Sequence, residues 1–388
     1  MDKIEELLTR GVVNIIPNKD SLKKLLDSGK KLNIYLGIDP TATRIHLGHA
    51  VPLRKLQALV KLGHNVKFLI GDFTALVGDS SDKESERPIL TAEEIKENFQ
   101  TYKEQAEKIL DFSRVSVVFN GEWLSKLGFA DIIKLCQHFS VGDFIGRELI
   151  KKRLTEGRQV RLDEMLYPVM QGYDSYHLDT DIQVGSADQT FNMQAGRTLQ
   201  HDLRDKESFV LVTDYLTGTD GRKMSKSWGN AIWLTDDPKE MYGKVMSLKD
   251  DLIIQYFTLA TAVPMTEIKE FKEKIEKGEN PMNIKKKLAF TIVSELHDAV
   301  EAEKAQENFE HTFQHGEFSR ETKTILSQKT LIETIAQIPE VGSKSEAKRL
   351  INAGAVDVGG ENIIDTGFPV KDGDNIKIGK KIFVKVEA

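Results

Sequence analysis

His46 and His49 stand three residues apart in "RIHLGHAVPL", with Gly48 between them, soon after the apolar run "LNIYLGI" breaks at Asp39-Pro40. The pattern reads as a strand, a polar loop and the first turn of a helix. A helix N-terminus carries unpaired N–H groups and partial positive charge, so it attracts phosphate. Side chains at i and i+3 share a face, which lets both imidazoles address one anion. Gly48 leaves a flat base room to reach the backbone, and Thr41 adds a hydroxyl donor from the loop. For an isolated pair of this spacing the commoner account is plainer: one histidine caps the helix and the other is exposed.

A second motif, "GTDGRKMSKSWGN", sets Lys223 and Lys226 in a loop too rich in Gly, Ser and Asp to be a regular helix or strand. Two mobile ammonium groups suit a polyphosphate whose charge shifts during reaction, and can tighten on departing pyrophosphate. A lone lysine pair is by default a solvated basic turn. Both motifs in one chain, flanking α/β segments, are far more specific than either.

Together they resemble class I aminoacyl-tRNA synthetases: "HLGH" is similar to that family's HIGH motif with one conservative change, and "KMSKS" matches its partner motif letter for letter. The resemblance implies ATP as substrate with Mg²⁺ carried mainly by its phosphates, amino-acid activation to an adenylate, and transfer to tRNA.

The amino acid must be read from other residues. "YPVMQGYDSYHL" places Tyr167, Gln171 and Asp174 four and three apart, on one face of a helix. With Tyr35 at a strand end and Asp79 in "LVGDSSDKESER", the set holds two carboxylates, two phenols and an amide. A charged α-amino group wants acceptors such as Asp79, Gln171 and Tyr167. A buried phenol wants one acceptor and one donor, which Asp174 and Tyr35 can supply. A site that hydrogen-bonds a substrate hydroxyl rejects the analogue lacking it by about 10⁴–10⁵ without editing, and no large editing insertion is recognisable. Taken alone, the same face could simply pack a wet helix.

With "YLGIDPT" and "VGSADQ" added, essentially the whole chain resembles the bacterial tyrosyl-tRNA synthetases. That resemblance implies that Tyr35 and Asp174 hold the tyrosine hydroxyl and that Asp79, Tyr167 and Gln171 hold its amine. It sets Gly37, Asp39, Gly48, Gly185, Asp188 and Gln189 around the adenylate, ribose or substrate carboxylate. Thr41, His46 and His49 would grip phosphate, with Lys223, Lys226 and Ser227 closing over it, and Arg87 would meet pyrophosphate or tRNA. Two departures bear on the ribose contacts: Leu36 stands where many relatives carry a small polar residue, and "GSADQTFN" replaces "GGSDQWGN". The nearest rivals are a tryptophanyl-type enzyme, against which Asp174 and Tyr35 favour a phenol, and an RNA-binding descendant without catalysis, which would have no reason to keep both phosphate grips.

The elements that must position these residues follow from periodicity. "LNIYLGI", "NVKFLIGDF", "VSVVFNGEWL", "DIQVGSADQ" and "SFVLVTDYL" read as buried strands alternating with helices, hence a Rossmann-like parallel sheet. Its ligands bind beyond the strands' carboxyl ends, where Asp39, Asp79 and Asp188 each follow an apolar run. The catalytic domain is expected over 1–235, with the lysine loop at 221–230 and an insertion at about 120–165. By resemblance that insertion, with the apolar "ADIIKLCQHFSVGDFIGRELI", forms a homodimer interface. Helices with charged faces are expected over 236–315, by resemblance on the anticodon side, then a linker over 316–330.

A small α+β domain over 331–388 resembles the RNA-binding module of the same enzymes. It carries eight Lys/Arg against nine Asp/Glu, so bulk charge does not announce RNA. The expectation rests on clusters: Lys344, Lys348 and Arg349 on one helix, and Lys377, Lys380, Lys381 and Lys385 in the last hairpin. Solvated surface charge would look the same.

At 388 residues, 40% hydrophobic and 29% charged, the chain is that of an ordinary multidomain globular protein. No apolar run approaches the roughly 20 residues of a membrane span, and "MDKIEELLTRGVV" lacks a signal peptide's apolar centre. One cysteine, Cys136, excludes an internal disulfide and fits a reducing cytoplasm. With nine scattered histidines it offers no metal-ligand spacing, so no protein-bound metal is expected. A net charge of −6 argues against a surface coated in phosphate-binding groups but allows a local basic face.

Overall fold

The structure, a computed structural model, describes residues 2–40, 43–79, 91–313, 323–379 and 382–387. The chain divides into two compact units, Met1–Ala302 and Glu303–Ala388. Thr41, Arg87, Lys380 and Lys381 lie outside the described residues, as does the side chain of Ser227.

The first unit is built on six strands: β1 (Val12–Ile16), β2 (Asn33–Ile38), β3 (Asn65–Ile70), β4 (Val115–Phe119), β5 (Ile182–Ser186) and β6 (Phe209–Thr213). Their order is β1-β6-β5-β2-β3-β4. Neighbours from β6 to β4 run parallel, and β1 closes the edge antiparallel to β6. Every residue of β6 is buried, as a strand covered on both faces must be. The chain leaves β2 for β3 and β4, then returns to lay β5 on the other side of β2. That reversal between β2 and β5 is the switch point where an open α/β sheet leaves a crevice at its carboxyl edge.

Three of the differences from the sequence expectation have local causes. β1 was hidden because its β-branched run, "VVNII", is short and follows directly on the helix Lys3–Thr9. The apolar segment after residue 128 folds as three helices, Phe129–Cys136, Val141–Ile145 and Glu148–Thr155, the second started by the side chain of Ser140 accepting from the Gly142 N–H. Asp79 does not follow its strand directly: a helical turn, Thr74–Val77, and Gly78 at φ 80° intervene. The helices Pro238–Met246, Ile253–Ala260, Met265–Glu276 and Pro281–Leu296 belong to the first unit. No helix among the described residues is long and apolar enough to cross a membrane.

The second unit has its own sheet, in the order β7 (Lys323–Leu326), β11 (Ile382–Glu387), β10 (Asn375–Ile378), β8 (Val356–Val358), β9 (Glu361–Asn362). The helices Leu331–Ile335 and Lys344–Asn352 share its core, in which Leu331, Ile335, Ile351, Val356 and Ile376 are fully buried. The expected linker over 316–330 therefore contains a strand: β7 pairs parallel with the last strand.

Candidate active site

The helix Leu47–Lys61 leaves the sheet after β2, and its first turn is organised by both histidines. His46 Nδ1 accepts from the Gly48 N–H (3.2 Å), and His49 Nδ1 accepts from the His46 N–H (3.2 Å). Because each Nδ1 is an acceptor, each ring carries its proton on Nε2. The two rings lie 4.0 Å apart. Burial, then the neighbouring His49 and the charge of Lys223, push the His46 pKa down to about 2. His46 is thus neutral and can meet an anion only as a hydrogen-bond donor. Helix capping and anion binding are not exclusive here, since they use different nitrogens. Gly48 has a second reason to be glycine: a Cβ there would stand 2.9 Å from the His46 ring and 3.9 Å from Met224 Cβ in the lysine loop.

That loop reaches the sheet edge. Lys223 Nζ lies 3.5 Å from Asp188 Oδ1, and Asp188 also accepts from Ser186 Oγ (2.7 Å) at the end of β5. Burial alone would raise the Asp188 pKa, but the Lys223 charge and the Ser186 hydrogen bond outweigh it and hold it below the usual value. Asn230, buried at the loop's base, donates to Asp220 (2.7 Å) and to the Lys223 carbonyl (3.1 Å) and accepts from the Ser225 N–H (2.8 Å). Lys226 opens a short 3₁₀ turn, Lys226–Trp228, and is exposed.

Between the two motifs, at the carboxyl edge of β2 and β5, lies a cavity of about 210 Å³. Tyr35, Gly37, Asp39, His49, Asp79, Tyr167, Gln171, Asp174, Gly185, Asp188 and Gln189 all line it. Leu36 and Pro52 line it as well, and bring apolar surface to it. His46, Gly48, Lys223 and Lys226 are not part of this lining; His46 adjoins it through His49 and Lys223 through Asp188.

The helix Leu162–His177 delivers Tyr167, Gln171 and Asp174. Asp174 is buried and accepts from Trp123 Nε1 (2.7 Å) and Asn120 Nδ2 (3.1 Å). Burial raises its pKa to about 7, against the pull of those two hydrogen bonds. Tyr35 donates to Gln183 Oε1 (3.1 Å), and burial followed by the Asp174 charge pushes its pKa well up. The Tyr35 proton is therefore engaged within the protein, and a ligand meets its oxygen as an acceptor, whereas the sequence led us to expect a donor. Asp79 accepts from Gln189 Nε2 (2.7 Å) and Asn192 Nδ2 (3.2 Å), and Arg147 Nη2 lies 3.9 Å away. Tyr167 and Thr74 each donate to Asp39, at 2.8 and 2.7 Å. The cavity is a hydrogen-bonded cup with a carboxylate at Asp174 and another at Asp79, and Gln171 brings an amide to it.

Asn120, Trp123, Gln183, Asn192 and Thr74 were not picked out from the sequence. One signal was available: Asn120 follows β4 as Asp39 follows β2, so the rule that marked the aspartates covers it. The others are ordinary polar residues inside helices or strands. Of the expected RNA contacts in the second unit, Lys344 pairs with Glu333 (3.0 Å) and Arg349 with Glu346 (2.8 Å), while Lys348 shares their helix. Exposed pairs of this kind are worth little and exchange readily for another anion.

The family model for tRNA synthetases class I (W and Y) matches residues 27–314. A tyrosine–tRNA ligase of Thermotoga maritima is 42% identical over 387 residues, covering 98% of this chain and 96% of its own. One of Carboxydothermus hydrogenoformans is 43% identical over 397 residues, covering 98% and 97%. Among solved structures, a C-terminally truncated mitochondrial tyrosyl-tRNA synthetase of Coccidioides posadasii superposes with a TM-score of 0.65 at 25% identity, covering 79% of this chain and 91% of its own. The two signature motifs, the crevice between β2 and β5 and this near-full-length similarity agree: the chain belongs to the tRNA synthetases of class I (W and Y).

Proposed function

We propose that the chain activates L-tyrosine with ATP, forming tyrosyl-adenylate and pyrophosphate, and then transfers the tyrosyl group to the 3′ end of tRNA(Tyr). The observation that carries this reading is the pairing of Asp174 with Tyr35 in a small buried cup whose lining also includes Asp79. A phenol hydroxyl donates its one proton to Asp174 or to the Tyr35 oxygen, and a ring without the hydroxyl would forfeit that bond inside a buried site. Asp79, Gln171 and Tyr167 receive the α-ammonium group. The names of the relatives, tyrosine–tRNA ligases, support the same substrate.

ATP would lie across Gly37, Asp39, Gly48, Gly185, Asp188 and Gln189, with Mg²⁺ arriving on its phosphates. The tyrosine carboxylate attacks the α-phosphate, and the bond to pyrophosphate breaks. His46 and His49, neutral donors at Nε2, hydrogen-bond the phosphate oxygens as charge gathers there. Lys223 exchanges its contact with Asp188 for the departing pyrophosphate, and Lys226 and Ser227 close with it. Thr41 and Arg87 would join them.

Two further parts complete the reading. Phe129, Ile133, Val141, Ile145, Leu154 and Leu162 are exposed apolar residues in one segment, Phe129 to 80% and Leu162 to 79%. Exposed apolar side chains in such number suit a second copy of the chain in a homodimer. Lys344, Lys348 and Arg349 would contact tRNA phosphates, and the activity would be cytoplasmic.

ATP–pyrophosphate exchange with each of the twenty amino acids tests the proposal. Exchange driven by tyrosine, and by neither phenylalanine nor tryptophan, is the expected result. Exchange driven by tryptophan would overturn the substrate, and none with any amino acid would overturn the activity.

A further inference from the structure

A second cavity, of about 470 Å³, has no part in that reaction. It lies among the helix Lys3–Thr9, Arg10 and Gly11, the helix Leu47–Lys61 from Val51 onward, Lys108 and Ile109, and residues 259–262 with Glu295. The same helix serves both cavities: Val51 lines this one, His49 and Pro52 the other. Its volume falls in the range of small-molecule clefts, about 300–1,000 Å³.

The lining holds six cationic residues against two acidic ones, Glu6 and Glu295. Several of these cations are occupied. Arg10 donates to the carbonyls of Phe257, Thr258, Thr261 and Val263 and pairs with Glu6. Lys108 donates to the Leu234 carbonyl, and Arg54 Nη2 pairs with Glu295 (2.7 Å). Two donors stand out. Arg54 Nε is buried with no hydrogen-bond acceptor among the described residues. Lys55, only 7% exposed, has three N–H bonds and one acceptor among the described residues, the Leu7 carbonyl at 2.6 Å. Burial and the Arg10 charge lower its pKa to about 7, despite Glu6. Buried donors without acceptors are rare and costly.

We propose that this cavity binds a small organic anion, a carboxylate on a compact apolar body, with its head between Arg54 and Lys55. One carboxylate oxygen would accept from Arg54 Nε and the other from Lys55 Nζ, holding Lys55 in its charged form. Leu7, Val51, Ala58, Leu62, Ile109 and Leu259 give the body its apolar wall. A bare inorganic anion would leave that wall wet, and a neutral apolar molecule would leave both donors unsatisfied.

Calorimetric titration of the full chain with sodium octanoate tests this, with octanol and inorganic phosphate as controls. The expected result is saturable binding of one octanoate per chain, about ten-fold or more tighter than octanol or phosphate. Lys55→Met and Arg54→Lys should each weaken octanoate by about ten-fold. Arg54→Lys keeps a cation for Glu295 while removing the Nε donor, so its loss would not come from the ion pair. Tyrosine should leave octanoate binding unchanged. No saturable binding, equal binding of octanol or phosphate, unchanged affinity in both variants, or displacement by tyrosine would each overturn the proposal.

Discussion

Arg44 and Asp236 are separated by 192 residues of chain and by 3.0 Å in space. Asp236 is buried and also accepts from Lys244 Nζ (2.8 Å) and the Trp233 N–H (2.8 Å). Around this pair the segment leading into the first motif is bonded to the segment leaving the second. The Leu47 N–H donates to the Ile232 carbonyl (2.9 Å) and the Leu234 N–H to the Ile45 carbonyl (3.1 Å). The Arg44 guanidinium lies 4.7 Å from the Trp233 ring, which meets the His46 ring edge-on at 5.8 Å. The carboxylate thus clasps the chain segments that carry the two signature motifs.

Asp236→Asn removes the charge that holds Arg44 and Lys244 and loosens that clasp. Adenylate formation should slow by about ten-fold or more, because small displacements of positioned groups are costly, while tyrosine affinity stays the same. Pyrophosphate exchange and equilibrium tyrosine binding together check this. Unchanged exchange would show that the clasp does not position the motifs.

In the proposed reaction His49 and Lys226 act on phosphate and not on the amino acid, so His49→Ala and Lys226→Ala test that step. Adenylate formation should fall by roughly 10²–10³, the usual cost of a lost transition-state donor, with little change in tyrosine binding. Single-turnover adenylate formation at saturating tyrosine measures the effect. Near-normal activation by either variant would remove that residue from the mechanism.

The buried Asp174 carboxyl should make the proposed tyrosine recognition depend on pH. Its folded pKa, about 7, lies above the unfolded value of 3.8, so the native state keeps a proton that the unfolded chain releases between those values. Stability should therefore decline as pH rises from about 4 to about 7 and level off above. Tyrosine binding should move the other way: it needs the carboxylate as acceptor and should weaken as pH falls through 7. Asp174→Asn should flatten both profiles. Asp174→Ala should abolish tyrosine binding or selection while ATP binding persists. A wild-type affinity for tyrosine independent of pH between 6 and 8 would contradict this role.

Trp123→Phe tests the support of that carboxylate. It deletes the 2.7 Å donor to Asp174 and keeps most of the ring. The carboxyl loses a bond that favours its charged form, so the midpoint of the pH profile for tyrosine binding should move upward. A variant that only perturbed packing would weaken binding without moving that midpoint.

The exposed apolar residues between 129 and 162 should cease to drive association once charge is placed among them. Phe129→Glu combined with Leu162→Glu should convert a dimer into a monomer in sedimentation equilibrium. A wild-type chain that sediments as a monomer at micromolar concentration would defeat the homodimer.

The parallel sheet was legible because its five strands are apolar runs between helical patterns. The two motifs were legible because their residue types are rare at that spacing, and Tyr167, Gln171 and Asp174 because a helix repeats every 3.6 residues. All of these are local properties, encoded within a few turns of chain. The tertiary structure alone decided which distant groups share protons and charge. It set the Tyr35 proton on Gln183, placed Trp123 and Asn120 on Asp174, joined Arg44 to Asp236, and inserted β7 beside the last strand. Hydrogen-bond partners far apart in sequence leave no periodic trace, because a polar side chain looks the same in the sequence whether water or a buried carboxylate receives its proton.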